Sequence, residues 1–391
     1  MKKIAVVTAT RAEYGLLSPV IKELRKFESS ELTVELIVTG THLSKKYGNT
    51  IQEIVSDGLR IDHKIEIKTD SATEMDISKN QADTLLKFTE LFVSESYNAV
   101  ILLGDRYELL AVAIAAGNAH IPIFHMCGGD TTEGAMDEWI RHSVTKMSYL
   151  HFVTNEKSRE RVIQLGEDPR RVFNYGSTSI DNILQAATMS RKEALDSVGL
   201  MECTYAVCTY HPVTMESGSV DEAIYDFLEA IRTFPDIEFI ITKSNADKGG
   251  ARINEILDKE EKAIPNIHVF TSLGIKRYLS LMRYSAFVLG NSSSGIIEAP
   301  SFHIPTVNIG DRQKGRIQAI SIINCQPDTA SIIEAVNLAL GEDMKRKCSE
   351  VVSPYGDGNA AQRIASKSIE VVKSNIDLKK QFYDMQLSDK K

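Results

Sequence analysis

The chain has 391 residues, more than a single hydrophobic core usually serves, so two domains of ordinary size are expected. Apolar residues make up 43% and charged residues 25%, as in globular proteins, which excludes a disordered or fibrous chain. The 45 basic and 53 acidic residues give a net charge of −8; a nucleic-acid-binding surface shows the opposite excess, so no nucleic-acid partner is expected.

Short β-rich runs alternate with amphipathic stretches along the whole chain. Residues 3–8 read as a strand, followed by a helix over about 14–27 and a second strand at 34–39. Strands at 99–103, 121–125 and 150–153 follow, separated by helical periodicity over 108–119 and 137–147. Unbroken apolar runs spaced by helices indicate parallel strands covered on both faces. A second series has strands at 205–209, 238–242, 268–270, 286–289 and 306–309, with helices over 220–233, 250–262 and 275–283. The expectation is an α/β chain of two Rossmann-like doubly wound lobes facing across a cleft. Residues 1–178 form the first lobe, 179–370 the second, and 371–391 a polar tail that packs back on the first. The join falls near Gly176, where Asn174-Tyr175-Gly176-Ser177 breaks the pattern.

Cys127, Cys203, Cys208, Cys325 and Cys348 are odd in number and without CxxC spacing, so neither a disulfide framework nor a zinc site is expected. Met1-Lys2-Lys3 runs into an apolar stretch too short for a signal peptide. No apolar run approaches the ~18 residues that span a bilayer. A cytoplasmic protein with no membrane partner is expected.

In open parallel sheets ligands bind beyond the carboxyl ends of the strands, and the motifs fall there. Gly290-Asn291-Ser292-Ser293-Ser294-Gly295 follows the strand ending at Leu289 and opens a short helix that Pro300 curtails. Serine hydroxyls and free N–H groups at a helix start suit an anion; an ordinary serine N-cap explains the same residues. Glu298, one turn beyond Ser294, suits ribose hydroxyls. Gly310-Asp311-Arg312-Gln313-Lys314-Gly315-Arg316 brings three cations to the next strand end, where a diphosphate would lie. A solvated loop accounts for Lys314 and Arg316 equally well.

In the first half, Thr8-Ala9-Thr10-Arg11 is not a GxGxxG fingerprint, which excludes a dinucleotide role, yet Arg11 stands where it can reach a phosphate. Asp105, in Gly104-Asp105-Arg106, can N-cap the helix near Tyr107 or serve sugar chemistry. Asp130 ends His125-Met126-Cys127-Gly128-Gly129-Asp130, and Asp137 with Arg141 has the spacing of an i,i+4 pair. His211 precedes Pro212 at a strand end of the second series. No HxxxH or DxD pair accompanies these residues, so no metal and no cofactor are expected.

In this order, Arg11-Ala12-Glu13-Tyr14, Tyr47-Gly48-Asn49-Thr50, Gly104-Asp105-Arg106, Gly128-Gly129-Asp130, Asp137 with Ile140-Arg141-His142-Ser143, His211-Pro212-Val213-Thr214, the 290–295 loop, Arg312-Gln313 with Gly315-Arg316, and Tyr355-Gly356-Asp357-Gly358-Asn359-Ala360 resemble the hydrolysing UDP-N-acetylglucosamine 2-epimerases of sialic-acid biosynthesis. The resemblance runs from Ile4 to about Ile364. Non-hydrolysing relatives carry Pro-Trp-Pro-Glu-Glu where this chain has Gly134-Ala135-Met136-Asp137-Glu138, so it resembles the hydrolysing branch.

The resemblance implies a GT-B architecture and a UDP-sugar substrate. It implies release of free N-acetylmannosamine and UDP through a 2-acetamidoglucal, and a homodimer or homotetramer built through the first lobe. Asp105, Asp130 and Asp137 match its acidic positions, and His211 its contact to the leaving group. Arg11, Ser292, Ser293, Ser294, Gly295 and Arg312 would hold the diphosphate, Glu298 the ribose, and Arg106 and Asn245 would line the sugar–phosphate cleft. Two residues depart from the pattern: Asp130 where many members have Glu, and Gly15 where some have serine. The first bears on a related branch that acts on UDP-2,4-diacetamido-2,4,6-trideoxyglucose on the way to legionaminic acid. A GT-B glycosyltransferase would share the loop and Glu298 but needs an acceptor. A nucleotide-sugar sensor would need none of the three aspartates.

Overall fold

The computed structural model describes residues 1–44, 50–68, 73–131, 136–212, 220–244 and 250–385. The first series runs β1 (Lys2–Thr8), α1 (Arg11–Arg25), β2 (Leu32–Thr39), α2 (Ile51–Ser56), β3 (His63–Ile65), α3 (Glu74–Glu95), β4 (Ala99–Leu103), α4 (Tyr107–Asn118), β5 (Ile123–Met126), α5 (Met136–Met147), β6 (Leu150–Val153), α6 (Glu156–Gln164) and β7 (Val172–Asn174). After α7 (Thr178–Ala186) and α8 (Arg191–Asp196) the second series has β8 (Tyr205–Thr209), α9 (Val220–Arg232), β9 (Glu238–Thr242), α10 (Gly250–Glu260), β10 (Ile267–Phe270), α11 (Gly274–Tyr284), β11 (Phe287–Gly290) and α12 (Ser293–Ile297). It closes with β12 (Thr306–Ile309), β13 (Ile322–Cys325), α13 (Thr329–Leu340), α14 (Glu342–Ser349) and α15 (Ala360–Lys373).

Two all-parallel sheets result, ordered β3-β2-β1-β4-β5-β6-β7 and β10-β9-β8-β11-β12-β13. β1 pairs with β2 from Lys2↔Leu32 to Thr8↔Val38, and β8 with β11 from Ala206↔Phe287 to Thr209↔Gly290. In each sheet the order reverses at the first strand of its series, which leaves a crevice beyond the carboxyl ends of β1/β4 and of β8/β11. Burial along β1 and β8 is continuous over their apolar residues, as helices on both faces require.

The chain divides into unit 1, Met1–Asn182 with Gly358–Lys391, and unit 2, Ile183–Asp357. α15 therefore belongs to unit 1, where the 179–370 expectation put it in the second lobe. The reason is its apolar stripe: Ala361, Ile364, Ala365, Ile369 and Val372 share one buried cluster with Leu17, Val20, Ile21 and Leu24 of α1.

α1 starts at a capping box in which Glu13 N donates to Thr10 Oγ1 at 3.4 Å and Thr10 N to Glu13 Oε2 at 3.2 Å. Pro19, inside α1, cannot donate to the Gly15 carbonyl four residues back. Asn182 Nδ2 takes that carbonyl instead, so α7 satisfies what the proline leaves open, and Thr178 Oγ1 donates to the neighbouring Leu16 O at 2.7 Å. Among the described residues no helix is long and apolar enough to cross a membrane.

Candidate functional site

In unit 1 the loops after β4 and β5 meet on α5. Arg141, 3% exposed, donates through Nε to Asp105 Oδ2 at 2.8 Å and through Nη2 to the same oxygen. Its Nη1 donates to the Asp130 carbonyl at 2.7 Å and to Glu138 Oε2 at 3.0 Å. One buried guanidinium thus ties two strand-end loops to one helix, a task suited to its planar set of donors. The Asp130 carboxylate is held separately: Oδ1 accepts from Thr154 Oγ1 at 3.0 Å and Ser158 Oγ at 2.5 Å.

The backbone here is demanding. Gly129 has φ +80°, and a Cβ on it would lie 2.2 Å from Ser158 O, so only glycine fits. Cys127 holds φ +62°, unusual for a residue with a side chain. His125, fully buried, has Nε2 2.9 Å from Gly104 O and Nδ1 3.2 Å from Thr145 Oγ1. Burial lowers its pKa to about 4, against the hydrogen bond to Gly104, so it is a neutral strut under Asp105.

Two expectations for these residues are corrected. Asp105 does not cap α4: Arg106 is the N-cap residue and makes no side-chain cap, because Asp105 is turned to Arg141. Arg141 pairs with Glu138 and Asp105, and among the described residues not with Asp137, whose side chain is exposed in the first turn of α5.

Arg106 Nε donates to Glu108 Oε1 at 2.7 Å. Glu108 and Glu13 are both buried, each with one carboxylate oxygen that has no partner among the described residues. Burial raises Glu13 to about 8, opposed by the N–H of Ala9 and reinforced by Glu108. Arg11 is exposed and pairs with Glu53 at 2.9 Å.

Unit 2 gathers its candidates around Asn291, fully buried between β11 and α12. Asn291 Oδ1 accepts from His211 N at 2.7 Å, and its Nδ2 donates to His211 O at 2.7 Å. Its carbonyl accepts from Arg312 Nη1 at 3.1 Å and Gln313 Nε2 at 2.8 Å. Asn291 therefore joins the loop after β8 to the loop after β12. His211 Nδ1 is 3.1 Å from Ser244 Oγ.

Ser292 is the N-cap of α12, its Oγ accepting from Ser294 N at 3.4 Å, with Ser293 and Ser294 in the first turn. Gly290 (φ +136°) and Gly295 allow close packing: added Cβ atoms would meet Thr209 O at 2.0 Å and Thr306 Cγ2 at 2.6 Å. α12 ends at Ile297, and Pro300 sits in the 3-10 turn Ala299–Phe302. Glu298 follows α12, its N–H donating to Ser294 O at 2.9 Å; burial raises its pKa against the opposing bond to Ser294. Burial and the Glu298 carboxylate push Tyr278 up to about 12.

Lys314, 76% exposed, pairs with Asp311 at 2.7 Å as the solvated-loop reading has it. A cavity of about 700 Å³ opens beside that loop, lined by Asn308, Arg316, Asn324 and Glu334, and none of the serine-loop residues lines it. Asn245, Val213, Thr214 and the Tyr47-Gly48-Asn49 motif lie outside the described residues.

Asn291, Arg141 and His125 were the residues whose roles the sequence hid. Each acts through backbone carbonyls or a distant loop, and no local spacing announces that.

The chain also has relatives among known proteins. The chain is 37% identical over 98% of its length, and 98% of its relative's, to the polysialic acid biosynthesis protein P7 of Escherichia coli. It is 38% identical to a GDP/UDP-N,N'-diacetylbacillosamine 2-epimerase (hydrolyzing) of Campylobacter jejuni, covering 83% of this chain and 84% of that one. The fold matches the crystal structure of UDP-GlcNAc 2-epimerase from Neisseria meningitidis bound to UDP-GlcNAc, with TM-score 0.77 at 20% identity over 95% of this chain and 100% of that one. The family model described as UDP-N-acetylglucosamine 2-epimerase matches residues 23–368, which take in every candidate except Arg11, and the chain belongs to that family.

Proposed function

We propose that the protein is a hydrolysing UDP-sugar 2-epimerase that converts UDP-N-acetylglucosamine and water to N-acetylmannosamine and UDP. The observation that carries this reading is the Arg141 grip, which gathers Asp105 and the Asp130 loop beyond the carboxyl ends of β4 and β5. A nucleotide sensor has no use for such a pair.

The reaction begins with loss of the C2 proton to a carboxylate. The C1–O bond breaks, its electron pair leaves with UDP, and a C1–C2 double bond remains in 2-acetamidoglucal. Water then adds OH at C1 while a proton arrives at C2 from the opposite face. Two carboxylates in unlike settings suit the two proton transfers. Asp105 lies against a guanidinium and Asp130 against two hydroxyls. Asp137 is the third acidic candidate. The leaving diphosphate gathers charge, which Arg11, Arg312 and the N–H and hydroxyl groups of Ser292, Ser293, Ser294 and Gly295 would stabilise. His211 would touch the departing phosphate, Glu298 the ribose, and Arg106 and Asn245 the sugar–phosphate region.

A second substrate is favoured by one finding: a relative at 38% identity is named for N,N'-diacetylbacillosamine. On that reading the sugar is UDP-2,4-diacetamido-2,4,6-trideoxyglucose and the product feeds legionaminic acid rather than sialic acid. A homodimer or homotetramer in the cytoplasm belongs to both readings; exposed Leu86 and Val93 on α3 and Trp139 on α5 are surface that self-association would bury.

The test is incubation with each sugar nucleotide alone in D₂O, followed by NMR. UDP release with deuterium at C2 of free N-acetylmannosamine is expected. Turnover of the diacetamido sugar alone would transfer the enzyme to the second reading, and turnover only with an added acceptor would indicate a glycosyltransferase.

A further inference from the structure

Beyond α15 the described residues, 374–385, run back along the surface of unit 1. At residue 380 it returns to the C-terminal end of α5, the helix whose other half carries Asp137, Glu138 and Arg141. Lys380 Nζ donates to Lys146 O at 2.9 Å and to Ser148 O at 2.6 Å. It also pairs with Glu167 at 2.6 Å, a carboxylate 1% exposed. Glu167 in turn takes Lys146 Nζ at 2.8 Å and faces His151 Nε2 at 3.0 Å.

Two more contacts fasten the segment. Tyr383 N donates to Gly166 O at 3.0 Å. The Phe382 ring lies 4.6 Å from Lys146 Nζ and so close to Gly166 that a Cβ there would fall 2.3 Å from it.

The last carbonyls of a helix have no partners within it and carry partial negative charge, so an ammonium set among them both satisfies and attracts them. Arg141 is five residues before Lys146, about 7.5 Å along the axis at the usual rise. Between them Thr145 Oγ1 donates to Arg141 O at 2.8 Å and lies 3.2 Å from His125. A helix this short moves as a rod, so whatever fixes its far end also sets the angle at which Arg141 meets Asp105.

We propose that residues 375–385 are a strap and that Lys380 is a positioning residue: by holding the end of α5 it aligns Arg141 with Asp105 and the Asp130 carbonyl. The inference rests on the reading of Asp105 and Asp130 as part of the reacting site. It needs no contact between Lys380 and substrate, since the effect passes through α5.

The sole tryptophan of the chain, Trp139, lies on α5 and is 52% exposed, so its emission and anisotropy report on that helix without any assay of activity. The variants are Lys380→Met, Lys380→Arg and a chain lacking 376–391, each compared with wild type by thermal melting, Trp139 anisotropy and kinetics. In Lys380→Met and the shortened chain, kcat is expected to fall about tenfold or more while KM stays within about twofold, the mark of a lost transition-state interaction. Trp139 anisotropy should drop in both while they remain folded, and Lys380→Arg should restore both signals.

Wild-type kcat and Trp139 anisotropy in folded Lys380→Met and in the shortened chain would overturn the proposal. So would a loss of kcat that only follows the folded fraction. Failure of the wild type to turn over any UDP-sugar would defeat the functional reading instead, and the Trp139 comparison would still decide whether the strap holds α5.

Discussion

Arg141 and Asp105 form a two-nitrogen ion pair in which the guanidinium is 3% exposed and the carboxylate remains partly open to solvent. The arginine is anchored on its other side by Glu138 and the Asp130 carbonyl, so the carboxylate is held without being sealed off. A buried guanidinium with one anionic partner removed is costly, which makes the pair sensitive to conservative change. Asp105→Asn keeps the shape and loses the charge. Turnover should fall about 100-fold or more, in the range of lost acid–base catalysis, with UDP affinity within about threefold. Isothermal titration with UDP beside the NMR assay measures both; undiminished turnover would remove Asp105 from the chemistry.

Asp130 offers a test of reach. Its Oδ1 is fixed by Thr154 and Ser158 hydroxyls, so Asp130→Glu moves the carboxylate by about 1.5 Å, one C–C bond, out of both hydrogen bonds. kcat should drop about tenfold or more with the better sugar nucleotide, since small displacements of reacting groups are expensive. The ratio of rates on the two sugars should change as well. An unaltered kcat and ratio would show that this carboxylate does not set the chemistry.

Two glycines should respond in opposite directions. Gly290 has φ +136°, and a Cβ would lie 2.0 Å from Thr209 O, so Gly290→Ala should cost about 3 kcal/mol in urea unfolding. Gly15, inside α1, has open space around its missing Cβ. Gly15→Ala should add about 0.5–1 kcal/mol, the helix penalty of glycine. A stabilised Gly290→Ala or a destabilised Gly15→Ala would contradict these backbone assignments.

Glu13 predicts a pH dependence. Burial raises its folded pKa to about 8, above an unfolded value near 4.3, so the folded chain binds more protons between these limits. Stability is then greatest below the unfolded pKa and falls as pH rises toward 8. Glu13→Gln cannot ionise and keeps an acceptor for the Ala9 and Thr10 N–H groups. Its stability relative to wild type should therefore climb from pH 5 to pH 8 in paired urea titrations. A constant difference across that span would mean that Glu13 does not titrate there.

The strands legible in the sequence were those with apolar runs: Ala99–Leu103, Leu150–Val153, Tyr205–Thr209, Glu238–Thr242 and Thr306–Ile309 have the expected ends. β3, β7 and β13 lie at or near sheet edges, and their polar, half-exposed faces give no such run; His63–Ile65 and Ile322–Cys325 have no fully buried residue. α15 looked like part of the second lobe because it follows it in sequence, and only its packing on α1 shows otherwise. Loop motifs were readable because strand ends collect chemistry. For Arg141, helical spacing offers Asp137 as partner, while the fold brings Asp105 from 36 residues away. Nothing in local periodicity carries that distance.

Because α15 packs on α1, unit 1 is made from both ends of the chain while unit 2 is one uninterrupted stretch. During synthesis unit 2 can close its sheet once Ile183–Asp357 has emerged, but the α1 side of unit 1 stays uncovered, with Leu17, Ile21 and Leu24 waiting for the last helix. The half made first should thus be the half finished last. Nascent chains halted before Gly358 should bind an apolar dye and yield to protease in unit 1 while unit 2 resists; equal resistance of both would refute that order.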